Sequence, residues 1–295
     1  MSASVKRYGI VVGVDGSAAS NFAVCWAARD AAMRNVPLTL VHMYNAFVPT
    51  FPQIPMPSGV AVWQKDDGRR VLEEAVKIAE DATKTHCRIE VASELKCSPP
   101  VPTLVEMSEE AEMVVVGSNG RGAIGRVLLG SVSSGVVRCA SCPVAVIRDE
   151  DPLIPDPVQA PVLVGIDFSP ASELATAIAF DEASRRGVEL RALHTWSDVE
   201  VLDFPGFDWE TVQSKAVRSL AERLTGWHER YPDVTVRRLV VCDWPARQLI
   251  EQSKSAQLVV VGSHGRGRVT GMLLGSVSNA VVHGARIPVI VARPS

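Results

Sequence analysis

The sequence contains an internal repeat, and this repeat restricts the fold more than any other feature. Residues Val114–Val137 and Val259–Val282 are identical at sixteen of 24 positions, at an offset of 145 residues. The segment that begins at Gly13 matches the segment that begins at Gly165, at an offset of 152. Half of the 295-residue chain is about 147 residues, a common size for one domain. The chain therefore predicts two similar domains in tandem.

A proline-rich acidic segment separates the two copies. Residues 149–161 read DEDPLIPDPVQAP, with four prolines and four acidic residues. Such a composition is typical of an exposed, extended linker. We therefore predict a first domain over residues 1–148, a linker over 149–161 and a second domain over 162–295.

Composition and charge exclude several classes of protein. Apolar residues make up 47% of the chain, which is too many for a disordered protein. Thirty basic residues face 33 acidic ones, which argues against nucleic acid as the main partner. Apolar runs are far shorter than the roughly 18 residues that a membrane span needs, and no signal peptide is recognisable. We therefore expect a cytoplasmic protein that does not act at a membrane.

The cysteines give no redox or metal signal. Six cysteines lie at irregular spacings, as is usual for reduced thiols in a cytosol. Cys139 and Cys142 form a C-x-x-C pair, but it falls at the end of a predicted helix, where the helix dipole disfavours a thiolate. Further zinc ligands at suitable spacing are lacking, so we expect no metal site there.

Each copy alternates short apolar runs with helical patterns. In the first copy we predict strands at Ile10–Val14, Leu38–Met43, Arg88–Leu95, Met113–Val116 and Val144–Ile147. We predict helices at Asn21–Arg34, Val60–Thr83, Thr103–Glu109 and Ser131–Arg138. Continuously apolar strands are typical of parallel strands covered on both faces. The pattern predicts an α/β fold: two tandem doubly wound, Rossmann-like domains, each a five-stranded parallel sheet flanked by helices, with ligands bound where the strand order reverses.

A glycine-rich loop after the fourth strand carries the main functional signal. Gly117 and Gly120 are followed, after nine residues, by Gly130 and Ser131. The second copy repeats this spacing at Gly262, Gly265, Gly275 and Ser276. Glycines let a backbone turn sharply and approach an anion, and the start of a helix supplies free N–H groups for phosphate. The loops therefore predict phosphate binding; the alternative is that the glycines serve only tight turns.

Two common nucleotide motifs do not fit. No Gly-Lys-Ser/Thr occurs, so this is not a Walker A loop. Gly120–Gly125 matches G-x-G-x-x-G, but it follows the fourth strand, and Thr270 breaks the pattern in the second copy. A dinucleotide site of the NAD type is therefore not expected.

With these motifs present in both halves, the chain resembles the universal stress protein family, specifically tandem two-domain members such as those of actinobacteria. The motif G-x2-G-x9-G-[S/T] distinguishes the members that bind ATP, and both halves contain it. The resemblance implies one ATP site per domain, with Mg²⁺ accompanying the triphosphate. Asp15 and Asp167 would hold the ribose or adenine side, and the backbone of Met43 or Thr195 would meet adenine.

The resemblance and the loop pattern together give a set of candidate binding residues. In the first domain they are Gly13, Asp15, Met43, Gly117, Ser118, Asn119, Gly120, Arg121, Gly122, Ala123, Arg126, Gly130, Ser131 and Val132. In the second domain they are Gly165, Asp167, Thr195, Asp198, Gly262, Ser263, His264, Gly265, Arg266, Gly267, Arg268, Gly275, Ser276, Val277 and Ser278. The alternative role of Asp15 and Asp167 is to cap the helix that follows.

No catalytic residues are predicted. The sequence has no G-x-S-x-G elbow, no H-E-x-x-H and no side chain that obviously orients a water for phosphoryl transfer. His42 and His194 are interpreted as core residues, and His264 stands where the first copy has Asn119.

We therefore expect a nucleotide-binding regulator with an unidentified protein partner. By resemblance it would act in responses to oxygen limitation or arrested growth, with its two domains paired as an internal pseudo-dimer through their closing strands; a homodimer remains open. The alternatives are a slow ATPase or phosphotransfer protein, and an interaction scaffold without nucleotide.

Overall fold

The chain divides into two compact units, Met1–Asp149 and Glu150–Pro294. The computed structural model describes residues 7–44, 59–84, 88–120, 129–148, 158–196, 209–265 and 274–294. Most of the predicted linker lies outside these described residues. None of the helices described has an apolar stretch of the length that crossing a bilayer requires.

The first unit is a parallel sheet flanked by helices. Its strands are β1 (Ile10–Gly13), β2 (Leu38–Tyr44), β3 (Val91–Cys97), β4 (Met113–Gly117) and β5 (Val144–Ile147). Its helices are α1 (Ala18–Arg34), α2 (Gly59–Thr83), α3 (Pro100–Ser108) and α4 (Ser131–Cys139). The strands lie in the order β3-β2-β1-β4-β5, and every neighbouring pair is parallel. The order reverses between β1 and β4, which is the predicted doubly wound topology.

The second unit repeats this arrangement. Its strands are β6 (Val162–Gly165), β7 (Leu190–Thr195), β8 (Val236–Val241), β9 (Leu258–Gly262) and β10 (Val289–Ala292). Its helices are α5 (Pro170–Arg186), α6 (Trp209–Arg230), α7 (Pro245–Ser253) and α8 (Ser276–Gly284). The parallel order is β10-β9-β6-β7-β8, so the reversal lies between β6 and β9.

The helices cover the sheet in pairs. In the first unit α1 packs on α2, and α3 packs on α4. Parallel strands are connected by right-handed crossovers as a rule, and with this strand order the rule places the two pairs on opposite faces of the sheet. The central strands between them are fully buried, as at Val11 and Val114, which explains their continuous apolar runs. The predicted fold class is confirmed.

Three elements have a boundary that differs from the prediction by more than one residue. Helix α1 begins at Ala18 rather than Asn21 because the Ser17 hydroxyl accepts a hydrogen bond from Ser20 N at 3.2 Å and so caps the helix. Helix α3 begins at Pro100, since proline suits the first turn of a helix. Strand β3 covers Val91–Cys97, because it pairs residue by residue with β2 to the end of that strand.

A pair of glycine substitutions tests the backbone of the second unit. Gly187 ends α5 with φ +65°, and a Cβ there would meet no atom within 4 Å, so only the left-handed conformation opposes alanine. Gly187→Ala is expected to lower the free energy of unfolding by about 1 kcal/mol. Gly226 lies inside α6 in equally open space, and Gly226→Ala is expected to raise the free energy of unfolding by about 0.5–1 kcal/mol. Urea unfolding monitored by circular dichroism measures both; shifts of the same sign would contradict this explanation.

Candidate functional site

Each unit has a cavity at the carboxyl edge of its sheet, where the strand order reverses. The cavity of the first unit has a volume of about 370 Å³, and that of the second about 640 Å³. Both volumes fall within the range of roughly 300–1,000 Å³ that is usual for small-molecule sites. The topology thus places a ligand-sized cavity where doubly wound sheets bind their ligands.

Many of the predicted residues line these cavities. In the first unit they are Gly13, Asp15, Met43, Gly117, Asn119, Gly120, Gly130, Ser131 and Val132. In the second unit they are Gly165, Asp167, Thr195, Gly262, His264, Gly265, Gly275, Ser276, Val277 and Ser278. Ser118 and Ser263 are buried and continue the backbone pairing of β4 and β9, so they do not line the cavities. Eight predicted residues lie outside the described part of the chain: Arg121, Gly122, Ala123, Arg126, Asp198, Arg266, Gly267 and Arg268.

Asp15 organises the turn between β1 and α1. Its Oδ1 accepts a hydrogen bond from Ser17 N at 2.9 Å, and its own N–H donates to Ser20 Oγ at 3.1 Å. Ser17, not Asp15, caps α1. The other carboxylate oxygen, Oδ2, lies only 2.7 Å from the position that a Cβ of Gly120 would take. The carboxylate therefore lies between the β1–α1 turn and the glycine loop, at the wall of the cavity.

The same arrangement recurs around Asp167. Ser169 N donates to Asp167 Oδ1 at 3.0 Å, and Asp167 Oδ2 lies 2.6 Å from the Cβ position of Gly265. The hydroxyl of Ser169 also donates to Asp167 Oδ1, at 2.6 Å. Each unit thus fixes an acidic side chain at the edge of its cavity.

In each unit, a buried histidine contacts the backbone of the turn that carries the aspartate. His42 Nδ1 lies 2.7 Å from the carbonyl oxygen of Val14, and His194 Nδ1 lies 2.8 Å from that of Ile166. Both side chains are buried, in agreement with the interpretation of these histidines as core residues. Each one anchors the residue that directly precedes the aspartate.

The two turns differ at the residue after the aspartate. Gly16 has φ +75°, and Phe168 adopts φ +66° at the equivalent position. This conformation costs a residue with a side chain roughly 1–2 kcal/mol. The ring of Phe168 packs on His194, with the ring centroids 4.5 Å apart, and the guanidinium of Arg223 lies 5.6 Å from the Phe168 centroid. We infer that this packing maintains the strained turn.

The glycine loop leads to a helix that begins without a side-chain cap. Gly130 is the N-cap of α4, and Gly275 is the N-cap of α8; neither helix has a capping side chain. The Ser133 hydroxyl instead donates to the carbonyl of Gly117 at 2.6 Å, and Ser278 does the same to Gly262. The first N–H groups of an α-helix have no partner within the helix, so these two helix starts offer donors to an anion.

Packing within each unit gives a further physical reason for these glycines. A Cβ at Gly117 would lie 2.8 Å from the backbone carbon of Ala19, and a Cβ at Gly262 would lie 2.8 Å from that of Ala171. These glycines therefore permit close packing of the first helix of each unit on the fourth strand. Gly120 and Gly265 leave room for the carboxylates of Asp15 and Asp167. That these glycines also admit a phosphate stays a prediction.

Sequence reasoning missed the apolar wall of each cavity. Pro100 and Leu104 of α3 line the first cavity, and Pro245 and Leu249 of α7 line the second. They are duplicated at the repeat offset of 145, a signal that could have identified them. Ser20, Ser133 and Ser172 were missed as well, although each is repeated in the other half.

An acidic residue lies close in sequence to a residue that lines the second cavity. Asp243 precedes Pro245 by two residues. The pKa of its carboxyl is lowered because Gln248 Nε2 donates to it at 2.6 Å and because Trp244 N donates at 2.7 Å. Asp243 therefore adds a stable negative charge to the β8–α7 turn at neutral pH.

Comparisons with known proteins agree on one family. The sequence model of the universal stress protein family matches residues 9–148 and 160–293. A universal stress protein of Mycobacterium tuberculosis is 65% identical over 295 residues and covers 100% of both chains. The crystal structure of a universal stress protein from Archaeoglobus fulgidus is 21% identical, has a TM-score of 0.71 and covers 97% of this chain and 98% of that one; it shows the shared fold. A universal stress protein solved in complex with cAMP is 30% identical, covers 48% of this chain and 98% of that chain, and has a TM-score of 0.34.

Proposed function

The chain belongs to the universal stress protein family, and from this premise we propose that it is an ATP-binding regulatory protein with one nucleotide site in each unit. The protein binds the nucleotide without turning it over, and the bound and free forms differ in their affinity for a protein partner in the stress response. Mg²⁺ accompanies the triphosphate.

The helix start beside each glycine loop is the observation that carries the proposal. Helices α1 and α5 are capped by their own serines, whereas α4 and α8 begin at a glycine with no side-chain cap. Free N–H groups and the positive end of the helix dipole stabilise a phosphate. Ser131 and Ser276 are the first helical residues and are exposed, so their hydroxyls can add donors. The phosphates therefore bind at the start of α4 and of α8.

The other end of each cavity suits a nucleoside. An aspartate carboxylate can accept hydrogen bonds from ribose hydroxyls, and we assign this role to Asp15 in the first unit and to Asp167 in the second. Apolar side chains of α3 and α7, such as Leu104 and Leu249, offer a surface for the base. A nucleotide bound in this way touches the β1–α1 turn and the start of α4 together. The nucleotide thereby joins two elements that otherwise contact each other through the glycine loop. By holding these two elements together, it alters the surface that the protein presents to a partner.

The nucleotide content of the purified full-length chain tests this function. We expect denatured protein to release an adenine nucleotide, and ATP titration of stripped protein by calorimetry to give two sites per chain. ATP incubated with the protein for hours should be recovered intact. Failure to bind ATP would leave an interaction scaffold, and steady conversion to ADP would establish an ATPase; either result would overturn the proposal.

A further inference from the structure

The two cavities differ at the end of the second strand of each unit. Met43 of β2 lines the first cavity, and Thr195 of β7 lines the second cavity at the equivalent position. We propose that this residue determines which bases each site accepts: the second site binds adenine nucleotides that carry a bulky substituent on the exocyclic amine, and the first site excludes them. The proposal rests on the proposed function, because it concerns the base end of the same two sites.

The strand order places this residue far from the phosphate end of the cavity. In the first unit β1 lies between β2 and β4, and the loop after β4 leads to the start of α4. Neighbouring strands lie about 4.8 Å apart, so Met43 is about 10 Å from the end of β4 across the sheet. The ribose of ATP is bonded to the five-membered ring of adenine. A nucleotide with its phosphates at α4 therefore directs its six-membered ring and exocyclic amine toward Met43, and in the second unit toward Thr195.

The side chain of Met43 faces the helix layer that forms the apolar wall of the cavity. His42, the preceding residue, faces α2, because a Cβ at Gly68 of that helix would lie 2.8 Å from His42 Cδ2. Successive residues of a strand point to opposite faces of the sheet, so Met43 faces α3 instead. Leu104 of α3 lines the cavity together with Met43. The methionine thus lies beside the apolar surface that we assign to the base.

Side-chain length at this position agrees with the difference between the two cavities. The first has a volume of about 370 Å³ and the second about 640 Å³. The second cavity continues along β7 from Thr195 to Leu193, two residues earlier on the same face. Val41, the equivalent of Leu193, does not line the first cavity. Methionine is longer than threonine, so Met43 covers the space in front of its strand that Thr195 leaves open.

The other differences in the lining act in the opposite direction. Among the described residues that line both cavities, two further positions differ between the units. Val14 corresponds to Ile166, which is larger by one methylene group. Asn119 corresponds to His264, which is also the larger residue. The exchange of methionine for threonine is therefore the described lining difference that opens the second cavity.

Benzyl-ATP, in which the exocyclic amine of adenine carries a benzyl group, is the probe for this difference. Calorimetric titration of the full chain, stripped of nucleotide, should give two sites per chain for ATP but one for benzyl-ATP. A misfit of even one methylene group in an apolar pocket changes affinity roughly 10–200-fold. The first site should therefore bind benzyl-ATP at least about tenfold more weakly than ATP, whereas the second site should bind both with similar affinity.

Reciprocal variants of the full chain assign the selectivity to this residue. Met43→Thr should raise the number of benzyl-ATP sites to two, and Thr195→Met should lower it to none. A parallel ATP titration of each variant gives the ratio of the two affinities at each site, and this ratio is the quantity compared. Thr195→Val is the matched control, because valine has nearly the size of threonine but no hydroxyl; it should keep the wild-type ratio.

The possible outcomes separate this inference from the proposed function. Wild-type protein that binds two molecules of ATP but two or no molecules of benzyl-ATP would overturn the inference and leave the proposed function intact. The same holds if the benzyl-ATP sites stay unchanged in folded Met43→Thr and Thr195→Met protein, or if Thr195→Val loses its site, which would assign the selectivity to the hydroxyl. Absence of ATP binding by wild-type protein would overturn both proposals together. Circular dichroism verifies the fold of each variant, and the wild-type stoichiometry keeps the test decisive if a variant does not fold.

Discussion

The Gly117→Ala variant is expected to lose about 3 kcal/mol of folding free energy before any nucleotide is added, because the new methyl group has no space. It would lie 2.8 Å from the backbone carbon of Ala19 and 2.9 Å from Ser20 N. Backbone atoms of a helix cannot give way as the end of a flexible side chain can, so α1 must shift away from β4. Such a loss is a large share of the roughly 5–15 kcal/mol that stabilises a typical domain. Urea unfolding of nucleotide-free protein measures it, and hydrogen exchange locates it in the first unit.

Matched variants separate this steric effect from a direct effect on the ligand. Gly262→Ala should destabilise the second unit similarly, since its methyl would lie 2.8 Å from the backbone carbon of Ala171. Gly226→Ala makes the same chemical change in open space and should show no loss. If Gly117→Ala protein unfolded at the wild-type urea concentration and yet failed to bind ATP, the methyl would act on the nucleotide, and the packing explanation would be wrong.

The glycine positions show what a sequence does and does not reveal. The repeat and the apolar runs predicted a doubly wound parallel sheet with a ligand site at its reversal point, because both depend on local pattern and on general topological rules. The reason for Gly117 depends on α1, which lies almost a hundred residues earlier in the sequence and meets β4 only in the folded sheet. A sequence motif shows where a glycine occurs. Packing between elements that are distant in the sequence determines which neighbouring atoms leave no room for a side chain there.

The missed boundaries and lining residues have the same origin. Strand β3 extends to Cys97 because β2 provides partners as far as Tyr44, although the composition of residues 91–97 is mixed. Leu104 resembles any apolar residue of a short helix, and only the crossover from β3 to β4 carries it to the cavity beside Gly13. Local chemistry is sufficient where a side chain acts on its own turn: a serine followed by a proline is a typical start of a helix, and Ser169 followed by Pro170 begins α5 in this way. It was insufficient where two segments meet.

Substitution of Asp15 by asparagine is expected to weaken ATP binding to the first unit by about ten- to a hundredfold while leaving the fold intact. Asparagine keeps an acceptor at the position of Oδ1, which takes the hydrogen bond from Ser17 N at 2.9 Å. It removes the negative charge and replaces the second oxygen with a donor, so a ribose hydroxyl loses a charge-assisted partner worth about 1.5–3 kcal/mol. Calorimetry should then count one tight site per chain instead of two. Asp167→Asn should remove the other tight site, and the double variant should retain neither.

Comparison with alanine distinguishes ligand contact from support of the turn. Asp15→Ala abolishes both the charge and the acceptor for Ser17 N, so it should lower both ATP affinity and the urea concentration of unfolding. If Asp15→Asn bound two ATP molecules with wild-type affinity while Asp15→Ala bound one, the carboxylate would serve only to fold the β1–α1 turn. If asparagine alone suffices to weaken binding, the charge itself must act on the nucleotide. Because the turns of the two units hold their aspartates through equivalent hydrogen bonds, the same contrast at Asp167 must give the same answer for the second site.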